Sequence, residues 1–131
     1  MSIPVELPQL AEALARYRYA YLMTSPAQGA PHAVAVYAAF DGDALVVNGA
    51  GRRTRANAQE RPAVALVWPP ADEGGYSLIV DGQADLHGEQ LRIRPTRAVL
   101  HRAAQAPQAK AEGGCASDCV ELDLKRGATG A

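Results

Sequence analysis

The sequence has few cysteines, few aromatic residues and almost no excess of charge of either sign. Only 2 of its 131 residues are cysteine, which is too few for a disulfide framework. The 13 lysines and arginines nearly balance the 14 acidic residues, so a globally basic nucleic-acid-binding surface is excluded. With 48% hydrophobic and 21% charged residues, the composition is that of a globular protein. The length predicts one domain over residues 1–131.

Long apolar segments are also missing. Residues 1–19 contain no basic segment followed by an apolar signal core. No later run approaches the roughly 20 apolar residues that a membrane-spanning helix needs. We therefore expect a cytoplasmic protein that has neither nucleic acid nor a membrane as a partner.

The spacing of apolar residues predicts one N-terminal helix followed mainly by strands. Apolar residues recur at spacings of three and four between residues 5 and 18, which indicates a helix within residues 1–18. Residues 19–49 have the pattern of three short strands separated by turns. The sequence Asp-Gly-Asp at 41–43 is typical of a tight hairpin turn.

The central part of the chain alternates between helix and strand signals. Residues 53–61 predict a short helix that ends before Pro62, because a residue preceding proline disfavours helical angles. The nearly continuous apolar run at 63–68 has the length of a strand. Residues 76–88 predict a half-buried strand with a bulge at Gly82.

The C-terminal part is predicted to be more irregular. Pro95 suits the first turn of a helix over residues 96–104. Residues 104–114 have the composition of a flexible linker, residues 119–125 are a candidate strand, and residues 126–131 are expected to be a frayed tail. Short helices inserted between consecutive antiparallel strands in so small a domain predict a mainly β barrel.

A cluster of arginines at the start of the second helix is the strongest functional signal. The stretch NGAGRRTRAN, residues 48–57 and here called the arginine motif, places Arg52, Arg53 and Arg55 after two glycines. Free N–H groups of a helix N-terminus and guanidinium groups both bind phosphate oxygens. The motif therefore predicts a phosphate site, with pairing of the arginines to nearby carboxylates as the alternative. It lacks the glycine spacing and the lysine of a P-loop.

An apolar surface is expected beside the arginine motif. The motif follows the strand at 45–48, and we expect the strand at 32–40 to run antiparallel to it. The small side chains of these strands leave room for a flat ring system. A phosphate site next to an apolar wall suggests a flavin.

The order of these motifs over residues 14–86 resembles the pyridoxamine phosphate oxidase-like family, the FMN-binding split β-barrels. The elements that carry the resemblance are the D-G hairpin, the basic turn into a short helix, R-P, A-V-A-L-V-W and S-L-I-V-D-G-Q-A. The resemblance implies a six-stranded antiparallel split barrel that forms a homodimer and binds FMN at the dimer interface.

The resemblance also implies which residues contact the cofactor. The family's flavin-facing strand falls on residues 32–37, its phosphate motif on 52–54 and a further flavin-facing position on Ser77. The candidate cofactor-binding residues are His32, Val34, Ala35, Val36, Val47, Asn48, Arg52, Arg53, Thr54, Arg55 and Ser77. Of the family's phosphate motif only the central arginine, Arg53, is retained, and Arg52 and Arg55 are the expected substitutes for the lost lysine.

The C-terminal arginine motif of the true oxidases is not recognisable in residues 117–131, so oxidation of pyridoxamine phosphate itself is not expected. The chain instead resembles the smaller actinobacterial-type members, which bind FMN or a deazaflavin coenzyme and reduce small molecules. We expect an oxidoreductase of this type with an unknown small-molecule substrate. The alternatives are a non-catalytic protein that binds FMN, haem or a nucleotide, and a structural dimer without cofactor.

The remaining candidates carry weaker signals. Cys115 and Cys119, with His101 upstream, miss the usual C-x-x-C zinc spacing, so no metal site is predicted. A redox pair and two ordinary thiols remain alternative interpretations of the cysteines. Trp68 is expected to pack in the core or in a dimer interface.

Overall fold

Residues 1–104 are the part of the chain that this computed structural model describes, and nearly half of them lie in strands. Apolar alternation produces the strands, and the two α-helices are short. The strands are β1 Ser2–Pro4, β2 Ala20–Thr24, β3 His32–Val36, β4 Ala39–Asp41, β5 Ala44–Val47, β6 Ala63–Trp68, β7 Ser77–His87 and β8 Gln90–His101; the helices are α1 Leu10–Leu14, preceded by a 3₁₀ turn at Leu7–Gln9, and α2 Arg52–Glu60.

The strands form one antiparallel sheet in the order β3-β2-β6-β7-β8-β5-β4, with β1 paired to β8. The sheet curls on itself, which confirms the predicted mainly β, split-barrel class. The described part of the chain has eight strands where six were expected. Two of the eight, β1 and β4, are only three residues long.

Alternation within the strands separates the core from the outer face. In β2 the buried residues alternate with exposed ones, so Leu22 faces inward while Tyr21 and Met23 face outward. Leu22, Leu66 and Leu78 are completely buried, and each such side chain contributes about 1.5–3 kcal/mol by leaving water. Trp68 is 1% exposed and belongs to this core, as predicted.

The prediction of a helix over residues 96–104 is wrong, because residues 96–101 belong to β8. This strand pairs with β7 over its whole length, from Ser77 opposite His101 to His87 opposite Gln90. A ladder of main-chain hydrogen bonds to β7 therefore overrides the weak helical spacing. Pro95 lies opposite Gly82, where the register shifts, and a bulge tolerates its missing N–H. The bulge predicted at Gly82 is confirmed.

Other boundaries differ less. The N-terminal helix expected within residues 1–18 is confined to residues 7–14, and the first residues form β1 instead. Residues 19–49 contain four strands, not three, and the predicted hairpin at 41–43 joins β4 to β5. The predicted linker beyond Ala104, the strand at 119–125 and the tail at 126–131 lie outside the described residues. Within residues 1–104, no helix combines the length and apolar character needed to cross a bilayer.

Candidate functional site

One cleft brings together most of the predicted cofactor-binding residues. It has a volume of about 460 Å³ and lies between β3 and the segment of residues 48–54. Eight of the eleven candidates line it, and they are His32, Val34, Ala35, Val36, Asn48, Arg52, Arg53 and Thr54. Residues 20 positions apart in the chain therefore form one site.

The N-terminus of α2 forms the polar side of this cleft. Gly51 precedes the helix, no side chain caps it, and its first turn contains no acidic residue. The N–H groups of Arg52, Arg53 and Thr54 have no carbonyl partner within the helix because they are its first three residues. Cationic side chains here also add to the positive end of the helix dipole. The arrangement favours a bound anion.

The arginines of this turn have no carboxylate partners among residues 1–104. The ion pairs in that part of the chain join other arginines to Glu60, Asp41 and Asp81. Arg52 and Arg53 are exposed and take part in none of them. The alternative interpretation, in which nearby acidic residues neutralise the motif, is not supported by the described structure.

Arg55 differs from the other two arginines. Its Nε donates a hydrogen bond to the main-chain oxygen of Ala50 at 3.0 Å, and its own N–H donates to Gly51 O at 3.0 Å. The side chain is half-buried and does not line the cleft. Arg55 therefore stabilises the turn that precedes the helix.

The loop before the helix leaves space for a ligand. Gly49 has φ +70°, a conformation that glycine adopts without strain. A Cβ atom added at Gly49 or Gly51 would meet no atom of residues 1–104 within 4 Å outside its own chain neighbours, although both residues line the cleft. The space directly above the helix N-terminus is therefore open.

Asn48 is held in place by a residue that the sequence did not identify. The Nε2 of Gln90, at the start of β8, donates a hydrogen bond to Asn48 Oδ1 at 3.0 Å. This bond occupies the carbonyl oxygen and leaves the amide Nδ2 available as a donor. A polar residue at the start of a strand gives no sequence signal for this role, because the contact joins positions 42 residues apart.

β3 supplies the apolar side of the cleft. Strand β3 pairs with β2. The prediction that residues 32–40 run antiparallel to residues 45–48 is therefore correct only for the short pairing of β4 with β5, where Phe40 lies opposite Leu45. Strand β3 therefore lies across the cleft from the arginine motif, and no ladder of main-chain hydrogen bonds joins it to β5 within the described residues. Val34 and Val36 are half-buried there, with small residues beside them.

Besides Arg55, two further predicted residues do not line the cleft. Val47 is 1% exposed and belongs to the core, because the alternation of β5 turns it away from the face of Asn48. Ser77 begins β7 opposite His101 and does not line the cleft. The cleft does include Tyr37, Gly49, Ala50 and Gly51, which were not predicted.

A buried hydrogen bond fixes α2 against the sheet. Asn57 Nδ2 donates to Thr24 Oγ1 at 3.0 Å, and both residues are less than 10% exposed. Thr54, one turn earlier, is 2% exposed. The helix therefore has a defined position relative to β2, and its N-terminal N–H groups have a defined direction.

The described residues contain no group of three or more His, Cys, Asp or Glu side chains that could hold a metal ion. Within the described residues, His101 Nδ1 and the hydroxyl of Ser2 are 3.1 Å apart. Cys115 and Cys119 lie outside residues 1–104, so their role stays a prediction.

Comparison with known proteins identifies relatives over most of the chain. The family model for pyridoxamine 5'-phosphate oxidase matches residues 7–118. An uncharacterized protein of Mycobacterium bovis is 41% identical over 136 aligned residues, which cover 92% of this chain and 96% of that protein.

Solved structures share the fold at lower identity. An F420 reductase is 22% identical, with a TM-score of 0.56 over 66% of this chain and 93% of its own. A FAD-binding protein from Mycobacterium smegmatis is 16% identical, with a TM-score of 0.59 over 78% of this chain and 100% of its own. These similarities support the split-barrel architecture.

Proposed function

The chain belongs to the pyridoxamine 5'-phosphate oxidase family, and from that premise we propose that it is an oxidoreductase that binds a flavin-type cofactor. The cofactor is FMN or a deazaflavin coenzyme, and it occupies the cleft between β3 and the arginine motif. The substrate is a small molecule. Family membership confirms the resemblance found in residues 14–86.

The convergence of the predicted residues in one cleft carries this proposal. The cleft combines an open helix N-terminus, arginines without carboxylate partners in the described structure, and an apolar wall. Its volume of about 460 Å³ falls in the usual range of ligand pockets. These are the features that a planar ring carrying a terminal phosphate requires.

Each side of the cleft has a separate task in this proposal. Arg52 and Arg53 donate hydrogen bonds to the phosphate together with the first N–H groups of α2. Val34 and Val36 exclude water from one face of the ring, and Asn48 donates to a polar group between ring and phosphate. When bound, the cofactor supplies hydride-transfer chemistry, so the protein needs to bind and orient it.

The names of two structural neighbours agree with a cofactor of this type, since one is described as an F420 reductase and another as a FAD-binding protein. Titration of the purified full-length chain with FMN and with the deazaflavin coenzyme tests the proposal. Riboflavin, which lacks the phosphate, is the matched ligand. We expect saturable binding of at least one phosphorylated cofactor and weaker binding of riboflavin.

Failure to bind either phosphorylated cofactor would refute the proposed function. Catalysis requires a second measurement, because a binding protein would give the same titration. Reduction of the bound cofactor by a nicotinamide donor, followed by its reoxidation with a small-molecule acceptor over many turnovers, is expected of an oxidoreductase. Binding without turnover would point to a carrier or sensor.

The contact between Gln90 and Asn48 leads to a smaller prediction. Replacing Gln90 with leucine removes the donor that orients Asn48, so FMN binding should weaken by about 0.5–1.5 kcal/mol, the value of one neutral hydrogen bond. Fluorescence titration measures the change. Gln83→Leu, an exposed glutamine on β7, is the control and should leave the FMN dissociation constant unaltered.

We also propose that the chain forms a homodimer through the outer face of the sheet. Across β3, β2, β6 and β7 the register aligns Ala35, Tyr21, Val67 and Ile79 on that face. The neighbouring row adds Met23, which is 37% exposed, while Tyr21 is 40% exposed. Continuous apolar surface of this kind usually marks an interaction site.

A charge placed in this row should prevent association. Val67→Asp is expected to convert a dimer into a monomer in sedimentation velocity experiments, because the carboxylate would lose its water in an apolar interface. Gln59→Asp, on the exposed side of α2, adds the same charge elsewhere and should leave the dimer intact. A wild-type chain that sediments as a monomer at micromolar concentration would contradict the proposed dimer.

A further inference from the structure

A second pocket adjoins the proposed cofactor cleft. It has a volume of about 620 Å³ and lies between the end of the N-terminal helical segment, the end of β3 and the loop after β6. Tyr37 lines both this pocket and the cofactor cleft. It is 79% exposed, so its ring is not used in the core. The two spaces therefore share Tyr37 as a lining residue. The lining residues of the second pocket, here called the aromatic pocket, are Tyr17, Arg18, Tyr19, Tyr37, Pro69, Pro70 and Ala71.

The lining of this aromatic pocket is mostly rings and contains one charge. Three tyrosines and two prolines provide flat, rigid surfaces. Among the described residues of the lining, Arg18 is the single cation and none is a carboxylate. Within residues 1–104, Arg18 makes no ion pair and no side-chain hydrogen bond.

Two of the tyrosines are fixed by contacts outside the pocket. The hydroxyl of Tyr17 donates a hydrogen bond to the main-chain oxygen of Tyr76 at 2.9 Å. The ring of Tyr19 packs edge-on against Tyr21, with ring centroids 5.5 Å apart and an angle of 76° between the planes. Side-chain hydrogen bonding with Tyr21, and then charge repulsion from it, raise the pKa of Tyr19 above its ordinary value.

From these observations we propose that the aromatic pocket binds the second molecule of the reaction, and that this molecule is a planar aromatic acid. The tyrosines and prolines contact the ring, since aromatic rings stack edge-on or offset on such surfaces. Arg18 pairs with the carboxylate and discriminates against neutral analogues. The inference rests on the proposed function, because Tyr37 places the pocket beside the proposed cofactor.

Calorimetric titration with two closely related probes tests this proposal. The probes are 4-nitrobenzoate and 4-nitrobenzyl alcohol, which share the ring and differ in charge. The full-length chain is titrated both alone and after saturation with FMN. We expect wild-type protein to bind 4-nitrobenzoate about tenfold more tightly than the alcohol, the effect of one charge-assisted hydrogen bond.

The matched variants are Arg18→Gln and Arg16→Gln, two exposed arginines of which only Arg18 lines the pocket. Arg18→Gln should abolish the preference for 4-nitrobenzoate and leave FMN binding unchanged, whereas Arg16→Gln should preserve both. Tyr37→Ala should weaken binding of both probes and of FMN, because that ring lines both spaces.

Two results would overturn the inference: the absence of saturable 4-nitrobenzoate binding to wild-type protein, or a preference for the acid that survives in Arg18→Gln. Failure of the proposed function has a different signature. In that case FMN does not bind, while the Arg18-dependent preference for 4-nitrobenzoate is still present in the chain alone.

Discussion

Arg53→Ala is expected to weaken FMN binding by roughly 1.5–3 kcal/mol, the range for a charge-assisted hydrogen bond. Arg53 is the second residue of α2, is exposed, and lines the proposed cofactor cleft. It makes no ion pair within residues 1–104, so its removal leaves no carboxylate unpaired there. The substitution should therefore lower the affinity for FMN and leave the free energy of unfolding unchanged.

The control for Arg53→Ala is Arg61→Ala, at the other end of the same helix, where the arginine pairs with Glu60 at 3.4 Å. Fluorescence titrations with FMN and riboflavin separate the phosphate contact from the ring contact. Arg53→Ala should reduce the affinity ratio of the two ligands, and Arg61→Ala should not. An unchanged FMN dissociation constant in Arg53→Ala would show that the phosphate lies elsewhere.

Gly82→Ala is expected to destabilise the fold by about 3 kcal/mol, at the upper end of the usual cost of overpacking. A Cβ at this position would lie 2.6 Å from the main-chain oxygen of Arg94 and 2.7 Å from Ile93 Cγ2. The carbonyl belongs to the β8 backbone, which the ladder to β7 holds in place. Relief of the clash therefore requires the two strands to move apart at the bulge.

Urea unfolding followed by tryptophan fluorescence measures this loss, because Trp68 is buried in the same sheet. Gly51→Ala is the matched control for a glycine-to-alanine change. Gly51 has φ −70° and free space around it, so the cost there should stay below about 1 kcal/mol, the price of a poorer helix N-cap. Equal unfolding midpoints for both variants would refute the role given to the close approach at Gly82.

The arginine motif and its position could be predicted from the sequence because the signal is local. Glycines, a helix start and three arginines fall within ten residues, and the family resemblance adds the strand on the other side of the cleft. The positions of Ser77 and Val47 outside the cleft could not be predicted in this way. Whether a strand residue faces the core or a cleft depends on register, and a shift of one residue reverses the faces.

The helix predicted over residues 96–104 failed because apolar spacing in so short a segment does not distinguish a helix from a strand. Val99 and Leu100 suit either structure, and the outcome is decided by pairing with Ile79 and Leu78 about twenty residues earlier. The contact of Gln90 with Asn48 could not be predicted either, since it depends on the separate pairing of β5 with the start of β8.

The positive charge at the start of α2, which no carboxylate among residues 1–104 neutralises, would tie the stability of the folded chain to ligand supply. Arginines at the positive end of a helix dipole repel it, and a bound anion removes that repulsion while binding only the folded state. A ligand at one hundred times its dissociation constant adds about 2.7 kcal/mol to the free energy of unfolding. Newly synthesised chains that find no ligand would therefore unfold more often and be degraded sooner than loaded ones.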